Sequence, residues 1–343
     1  MSDNILQDQL TAGLDAILRA YSTPHQYGQR ILVFQKDKMK LYYYQAKKKQ
    51  KDSPPLLITF STVNKSDILD LSPQYSFINE LNKNGIDVYL IDWGYPDDGD
   101  FSLSLDDYVN YYLQECVAFI KESNACDSIN LLGICQGGVM ALCYAALHQD
   151  IKKLILISTP VDFHTRDNLI TALIKRLDVD HFIRTQSNLP GSLLTQFFVY
   201  LRPFDAIGKK YLRFTQRLAD KSWTEKFVRV EKWLHDAPDQ SGTAFVEFVR
   251  ELYQGNKLIK GEFHIRSNLI DLKNITMPVL NIMAKDDEIV PPSASRALKQ
   301  YVGTKNYFQR VIPGGHIGIY VSDNTLNTLP KMISRWLVKS RSI

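Results

Sequence analysis

Three short segments carry side chains able to do chemistry. Residues 133 to 138 read Gly-Ile-Cys-Gln-Gly-Gly, between an apolar run suited to a strand and another suited to a helix. The Gly-x-Cys-x-Gly spacing is that of a nucleophile elbow, with cysteine in the place of serine. Glycines flank such a nucleophile because a sharp strand-to-helix turn brings two backbones too close for side chains. Cys135 then stands at a helix N-terminus, whose partial positive charge favours thiolate over thiol. A second segment, Ala-Lys-Asp-Asp-Glu-Ile-Val-Pro-Pro at 284 to 292, places acids just past a buried strand, where open α/β sheets carry their functional loops. A third, Gly314-Gly315-His316-Ile317-Gly318, places a histidine in a Gly-rich loop after the next strand.

The candidates are Cys135 as nucleophile, Asp287 as acid and His316 as general base. Asp286 competes with Asp287, which is preferred because it immediately precedes the Glu-Ile-Val-Pro turn. Alone, Cys135 could equally be a buried cysteine in a Gly-rich turn; the two downstream segments in register weigh against that. Cys116, Cys126 and Cys143 fall in helical or helix-terminal stretches and read as structural, and no Cys-x-x-Cys pair points to a metal. Among the seven histidines only His316 has the loop and position of a general base, while His148 reads as an offset to the C-terminal dipole of the helix after the elbow.

These residues need elements to position them. Residues 1 to 30 form a polar lead-in with a weak amphipathic pattern (Ile5, Leu6, Leu10, Leu14, Ile17, Leu18) that predicts one short helix. Ile31 to Gln35 and Met39 to Tyr44 predict a hairpin, and Lys47 to Lys51 a solvated loop. From residue 55, strands at 56–60, 86–91, 129–134 and 151–157 alternate with helical stretches at 74–84, 105–123 and 138–148. The strands are rich in Ile, Leu and Val without polar alternation, as strands covered on both faces are. An α/β fold with a mostly parallel sheet follows. The rhythm stops for about 110 residues, 161 to 270, which are helical in pattern and well supplied with aromatics, and returns with a strand at 278–284, a helix at 293–302, a strand at 309–312 and a last helix to about residue 339. The predicted organisation is a lead-in (1–30), a core (31–160 and 271–343) and a helical cap (161–270). The order nucleophile, acid, histidine is that of α/β-hydrolases, and the cap falls between nucleophile and acid, as a lid over the site would.

Composition bounds the function classes. With 343 residues, 45% of them hydrophobic and 23% charged, the chain is neither disordered nor fibrous. A formal charge of +4 spread over this length does not point to nucleic acid. Four cysteines are too few for a disulfide scaffold, so a reducing compartment is expected. Asp3, Asp8 and Asp15 precede the first arginine, Arg19, so the basic start of a signal or transit peptide is missing. Residues 128 to 149 carry no formal charge over 22 positions, but Gly133, Gln136, Gly137 and Gly138 interrupt them, and they read as strand, turn and helix, not as a membrane span. Residues 161–270 hold 17 Lys plus Arg against 13 Asp plus Glu, so the whole formal excess sits in the cap.

On the segments VNKSDILDL (63–71), GIDVYLIDWGYPDD (85–98), LLGICQGG (131–138), AKDDEIVPP (284–292) and PGGHIGIY (313–320), the chain resembles the catalytic subunit of class III polyhydroxyalkanoate synthases, Cys-dependent relatives of the α/β-hydrolases. The resemblance runs from about residue 55 to the C-terminus. One departure is Glu288, where the family commonly has His after the catalytic Asp.

The resemblance implies Cys135 as nucleophile, His316 as general base and Asp287 as catalytic acid. It implies that Cys135 takes a 3-hydroxyacyl group, of short chain, from coenzyme A, and that a 3-hydroxyl then attacks another acyl thioester to lengthen a polyester. Asp287 can serve by orienting His316 or by assisting the hydroxyl. By analogy with elbow geometry, the oxyanion hole is expected from backbone N–H groups of Gln136 and of Val63 or Asn64. No cofactor is implied beyond the coenzyme A that carries the substrate. An accessory synthase subunit, a homo-oligomer, the growing polyester and a cytoplasmic place at polyester granules are implied by resemblance. Some cap bases could meet the phosphates of coenzyme A. The rival enzyme is a Cys-dependent hydrolase (thioesterase, dienelactone-hydrolase-like enzyme or polyester depolymerase), and the rival from another class is a non-catalytic binding protein on the same fold.

Overall fold

A computed structural model describes residues 2–22, 28–48, 54–181, 187–201, 208 and 210–338. Eight strands form one sheet: β1 (Ile31–Lys36), β2 (Met39–Tyr44), β3 (Leu56–Thr59), β4 (Val88–Asp92), β5 (Ile129–Ile134), β6 (Ile151–Ile157), β9 (Val279–Ala284) and β10 (Tyr307–Ile312). A separate two-residue hairpin, β7 (His264–Ile265) and β8 (Asn268–Leu269), precedes β9. The sheet order is β1-β2-β4-β3-β5-β6-β9-β10; β1 and β2 pair antiparallel with each other, β2 runs antiparallel to β4, and the remaining pairs are parallel. This is the mostly parallel α/β sheet that the apolar strand pattern predicts.

Successive strand residues point to opposite faces, and each face has its own apolar cluster. Leu57, Leu131, Leu154 and Val279 look one way, toward α3 (Gln114–Ser123) and α4 (Gln136–Leu147). Leu56, Ile58, Leu132, Ile134, Ile155 and Ile282 look the other way, toward α2 (Phe77–Lys83) and the last helix, α13 (Asp323–Val338). Both faces are covered, so the strands have no polar alternation. Ser76 caps α2 by accepting the Asn79 N–H.

Several boundaries differ from the sequence pattern for physical reasons. The stretch 105–123 is not one α-helix: Asp107–Leu113 widens into a π-helical segment before α3 begins. The helix after the elbow starts at Gln136, directly behind Cys135. The helix expected at 293–302 is α11 (Pro292–Arg296) continued by a 3-10 turn, Ala297–Gln300. Lys47 and Lys48 are exposed; the rest of the 47–51 run lies outside the described residues.

The lead-in helix, α1 (Ser2–Ser22), packs along a cap helix, but not through Leu14 or Leu18. Ala16 and Ala20 are buried, whereas Leu14, Leu18 and Tyr21 are exposed. A side chain at Gly13 would run into Leu218. Small residues permit close helix approach here, and the apolar pattern overstated Leu14 and Leu18.

Between β6 and β9 the chain leaves the sheet. Its described helices are α5 (Leu169–Ile174), α6 (Gly191–Leu201), α7 (Lys210–Gln216), α8 (Lys221–Leu234), α9 (Gly242–Glu247) and α10 (Lys257–Lys260), with a π-helical segment, Phe248–Gln254, between the last two. Asp220 caps α8 through the Trp223 N–H, and Phe214, Trp223 and Phe227 stack together on its flank.

Candidate active site

Cys135 ends β5, and its own backbone makes the turn. Its φ of 54° and ψ of −123° lie outside the regions that L-residues favour. The Cys135 N–H donates to the Ile157 carbonyl (3.0 Å), which anchors the turn to β6. A Cβ at Gly133 would sit 2.5 Å from the Gly138 Cα, and one at Gly137 would overlap the Phe60 carbonyl. The elbow therefore needs glycine at both positions. Gln136 opens α4, where a backbone N–H has no intrahelical acceptor.

Asp287 stands on the loop after β9, and His316 on the loop after β10. His316 Nδ1 lies 2.8 Å from Asp287 Oδ2 and 3.0 Å from Oδ1. The Ile289 and Val290 N–H groups donate to Asp287 Oδ1 at 3.1 and 2.8 Å. The Asp287 side chain is fully buried, while Asp286 and Glu288 are exposed, which decides between the two competing acids on geometry. Cys135 acts electrostatically on the same imidazole. Burial opposes a charge on His316, but Asp287 and Cys135, through their charges and hydrogen bonds, outweigh it and hold the imidazole well above its usual 6.5. The structure thus brings together Cys135, His316 and Asp287, residue types suited to nucleophile, base and orienting carboxylate.

The loop after β3 brackets the elbow. The Gln136 carboxamide oxygen accepts from Ser61 Oγ (3.2 Å), Thr62 N–H (3.1 Å) and Thr62 Oγ1 (2.8 Å). The Val63 N–H is already committed to Ser61 Oγ at 3.0 Å. Asn64 reaches the cap instead, its side-chain amide donating to the Trp233 carbonyl at 3.4 Å. Of the expected oxyanion donors, Gln136 is at the elbow, Val63 is engaged elsewhere and Asn64 is tied to the cap through its side chain.

The cap is latched onto this loop. Gln240 Nε2 donates to the Thr62 carbonyl, and Thr62 Oγ1 lies 2.7 Å from Gln240 Oε1. Trp233 Nε1 donates to the Lys65 carbonyl at 2.8 Å, and Lys65 pairs with Asp236. Two tyrosines act electrostatically with Cys135, the partly buried Tyr253 from the 248–254 segment and the buried Tyr320 from α12 (Gly318–Val321). Gln240 and Tyr253 carry no local sequence signal; they reach the site only through tertiary structure.

The remaining candidates fall away from the site. Cys116 and Cys143 are buried and burial pushes their thiols up, so they are unreactive core residues. His148 stacks on Tyr144 (4.3 Å between ring centroids), and burial holds it below its usual value, so its surroundings favour the neutral imidazole over a charge placed to offset the helix dipole. Among the described residues no grouping of three or more His, Cys, Asp or Glu is placed to hold a metal. No helix among them is long and apolar enough to cross a membrane. Six cap bases, Lys210, Arg217, Lys226, Arg250, Lys257 and Arg266, are paired with carboxylates, but only Lys226 and Arg266 pair with acids outside the cap, so most of its net positive excess remains.

Comparison with known proteins agrees with this geometry. The family profile described as "alpha/beta hydrolase fold" matches residues 65–323, and "Poly-beta-hydroxybutyrate polymerase (PhaC) N-terminus" matches residues 26–81. The "Poly(3-hydroxyalkanoate) polymerase subunit PhaC" of Allochromatium vinosum is 42% identical over 96% of this chain and 94% of its own length. The protein of the same name from Thiocystis violacea is 41% identical over 96% and 93%. Among solved structures, a soluble variant of monoglyceride lipase from Saccharomyces cerevisiae superposes with a TM-score of 0.56 over 92% of this chain and 97% of its own, at 14% identity, a likeness of fold alone. The chain belongs to the PhaC family of poly(3-hydroxyalkanoate) polymerases, built on the α/β-hydrolase fold.

Proposed function

We propose that this chain polymerises 3-hydroxyacyl-CoA thioesters of short chain into a polyester, through an acyl group held on Cys135. The observation that carries the reading is the grouping of Cys135, His316 and Asp287 at the elbow of a polymerase-family chain. His316 takes the proton from Cys135 Sγ as the sulfur attacks the thioester carbonyl. The carbon–sulfur bond to coenzyme A breaks, and the coenzyme leaves as thiol with that proton. His316 then takes the proton from the 3-hydroxyl of the bound unit, whose oxygen attacks the carbonyl of a second acyl-CoA. A new ester bond forms, the second thioester bond breaks, and coenzyme A again carries the proton away.

Cysteine suits this sequence. The first transfer exchanges one thioester for another, and the second converts thioester into oxygen ester, which runs downhill. The raised His316 supports an imidazolium facing the sulfur, and Asp287, with both oxygens on Nδ1, supports an orienting role. The Gln136 N–H, with Asn64 or, after release from Ser61, Val63, would receive the carbonyl oxygen. The cap latched over the loop supports exclusion of water from the acyl-enzyme. We place the protein in the cytoplasm, at the surface of the polyester it makes, with an accessory subunit and a homo-oligomeric assembly as its partners.

Turnover of 3-hydroxybutyryl-CoA, with and without a co-expressed accessory subunit, tests the reading. Insoluble polymer with free coenzyme A is expected. Free hydroxy acid in stoichiometric amount would instead establish a hydrolase, and failure of Cys135 to acquire an acyl group would establish a non-catalytic protein.

A further inference from the structure

Tyr320 closes the Gly-Gly-His-Ile-Gly-Ile-Tyr segment, and among the described residues nothing uses its polar atom. The residue is 1% exposed, and its ring meets Phe60 and Phe77 edge-on, with centroids 6.4 and 6.3 Å apart. Among the described residues its hydroxyl has no hydrogen-bond partner. A buried hydroxyl left unpaired is costly, and phenylalanine would fill the same space without that cost. A buried, unpaired hydroxyl close to reacting groups is free to meet a polar atom of a bound substrate.

Its neighbours lead to the reaction site. Tyr320 stands four residues beyond His316, on α12. Phe60, against which it packs, leads into the Ser61-Thr62 loop that holds Gln136, and Cys135 packs against the same apolar cluster as Tyr320. Burial, with the charges of Cys135 and Asp287 adding to it, keeps the phenol protonated, so it can donate a hydrogen bond but not serve as a base.

We propose that Tyr320 is a specificity residue that donates its hydroxyl hydrogen bond to the 3-oxygen of the acyl unit held at Cys135. The inference rests on the polymerisation reading above. The thioester carbonyl has its own donors at the elbow. The 3-oxygen, two carbons further on, is the other polar atom of a short acyl unit, and in an apolar cluster it needs a partner. Donation from Tyr320 occupies a lone pair of that oxygen and leaves its proton for His316. As His316 withdraws the proton, the same hydrogen bond stabilises the negative charge that develops on the 3-oxygen before it bonds to the next acyl carbon, and the tyrosine keeps its proton throughout. An acyl group without the 3-hydroxyl leaves the phenol unpaired, and a site built around a hydroxyl discriminates strongly against such an analogue.

The test is Tyr320→Phe, read by first-turnover release of coenzyme A in quenched-flow experiments with 3-hydroxybutyryl-CoA and with butyryl-CoA, alongside thermal melting of the free enzyme. Release from the hydroxyacyl substrate is expected to slow about 10- to 100-fold while release from butyryl-CoA is unchanged, with a melting temperature equal to or above that of the parent. An equal effect on both substrates, no effect on either, or a lowered melting temperature overturns the assignment. Failure of the parent enzyme itself to release coenzyme A from 3-hydroxybutyryl-CoA overturns the polymerisation reading instead.

Discussion

Asp287 meets His316 Nδ1 with both carboxylate oxygens, at 2.8 and 3.0 Å, and the same carboxylate is pinned by the backbone N–H groups of Ile289 and Val290. The imidazole is thereby fixed with its far nitrogen toward Cys135. Asp287→Asn keeps the shape and removes the charge. Coenzyme A release should fall on the order of 10³- to 10⁴-fold, and the His316 titration, followed by imidazole NMR, should move down. A His316 titration left in place would contradict the origin assigned to its shift.

The raised His316 also fixes a sign for stability against pH. Its native value stands above its unfolded one, so the stability its charge contributes is complete below about pH 6.5 and is lost as pH rises through the native value. The difference in unfolding free energy between the parent and His316→Gln should therefore be largest in mild acid and shrink with rising pH. Denaturant titrations at a series of pH values check this, and a difference that grows with pH would refute it.

The elbow stores strain. A non-glycine residue at φ 54° and ψ −123° costs on the order of 1–3 kcal/mol, part of which glycine relieves. Cys135→Gly should melt at or above the parent temperature while forming no acyl-enzyme, and Cys135→Ala should be equally inactive without that gain. Mass spectrometry after exposure to acyl-CoA, with calorimetry, separates the two effects; persisting acylation in either variant would remove Cys135 from its role.

Gln240 joins the cap to the loop beside the elbow through Thr62. Gln240→Ala should cost about 1 kcal/mol of stability and lower kcat/KM by roughly tenfold, since Thr62 also holds the Gln136 side chain. Gln240→Glu should not rescue it, because a carboxylate has no N–H for the Thr62 carbonyl. Full activity in both variants would show that the latch and the catalytic loop are independent.

The sheet and the three candidate residues are legible because their signals are local. Ile129–Ile134 and Ile151–Ile157 are strands to the residue, since doubly buried strands are continuous apolar runs bounded by turns. Cys135 and His316 sit in Gly-rich loops whose spacing has a steric reason. Asp287 over Asp286 was a reasoned preference that burial settled. What escaped was long-range or subtle. Gln240 meets Thr62 across 178 residues of chain, and Tyr253 approaches Cys135 from inside the cap, so neither spacing carried information. In α1, hydrophobicity pointed to Leu14 and Leu18, but packing against α8 went to Ala16 and Ala20, where side-chain bulk mattered more than apolarity.

That small-residue seam has a mechanical consequence. With Gly13 against Leu218 and the Tyr21 carbonyl accepting from Lys232, α1 is coupled to the cap although it begins the chain. If α8 rocks when a growing chain passes, α1 travels with it as a lever, and a dye on exposed Arg19 becomes an external gauge of events at Cys135.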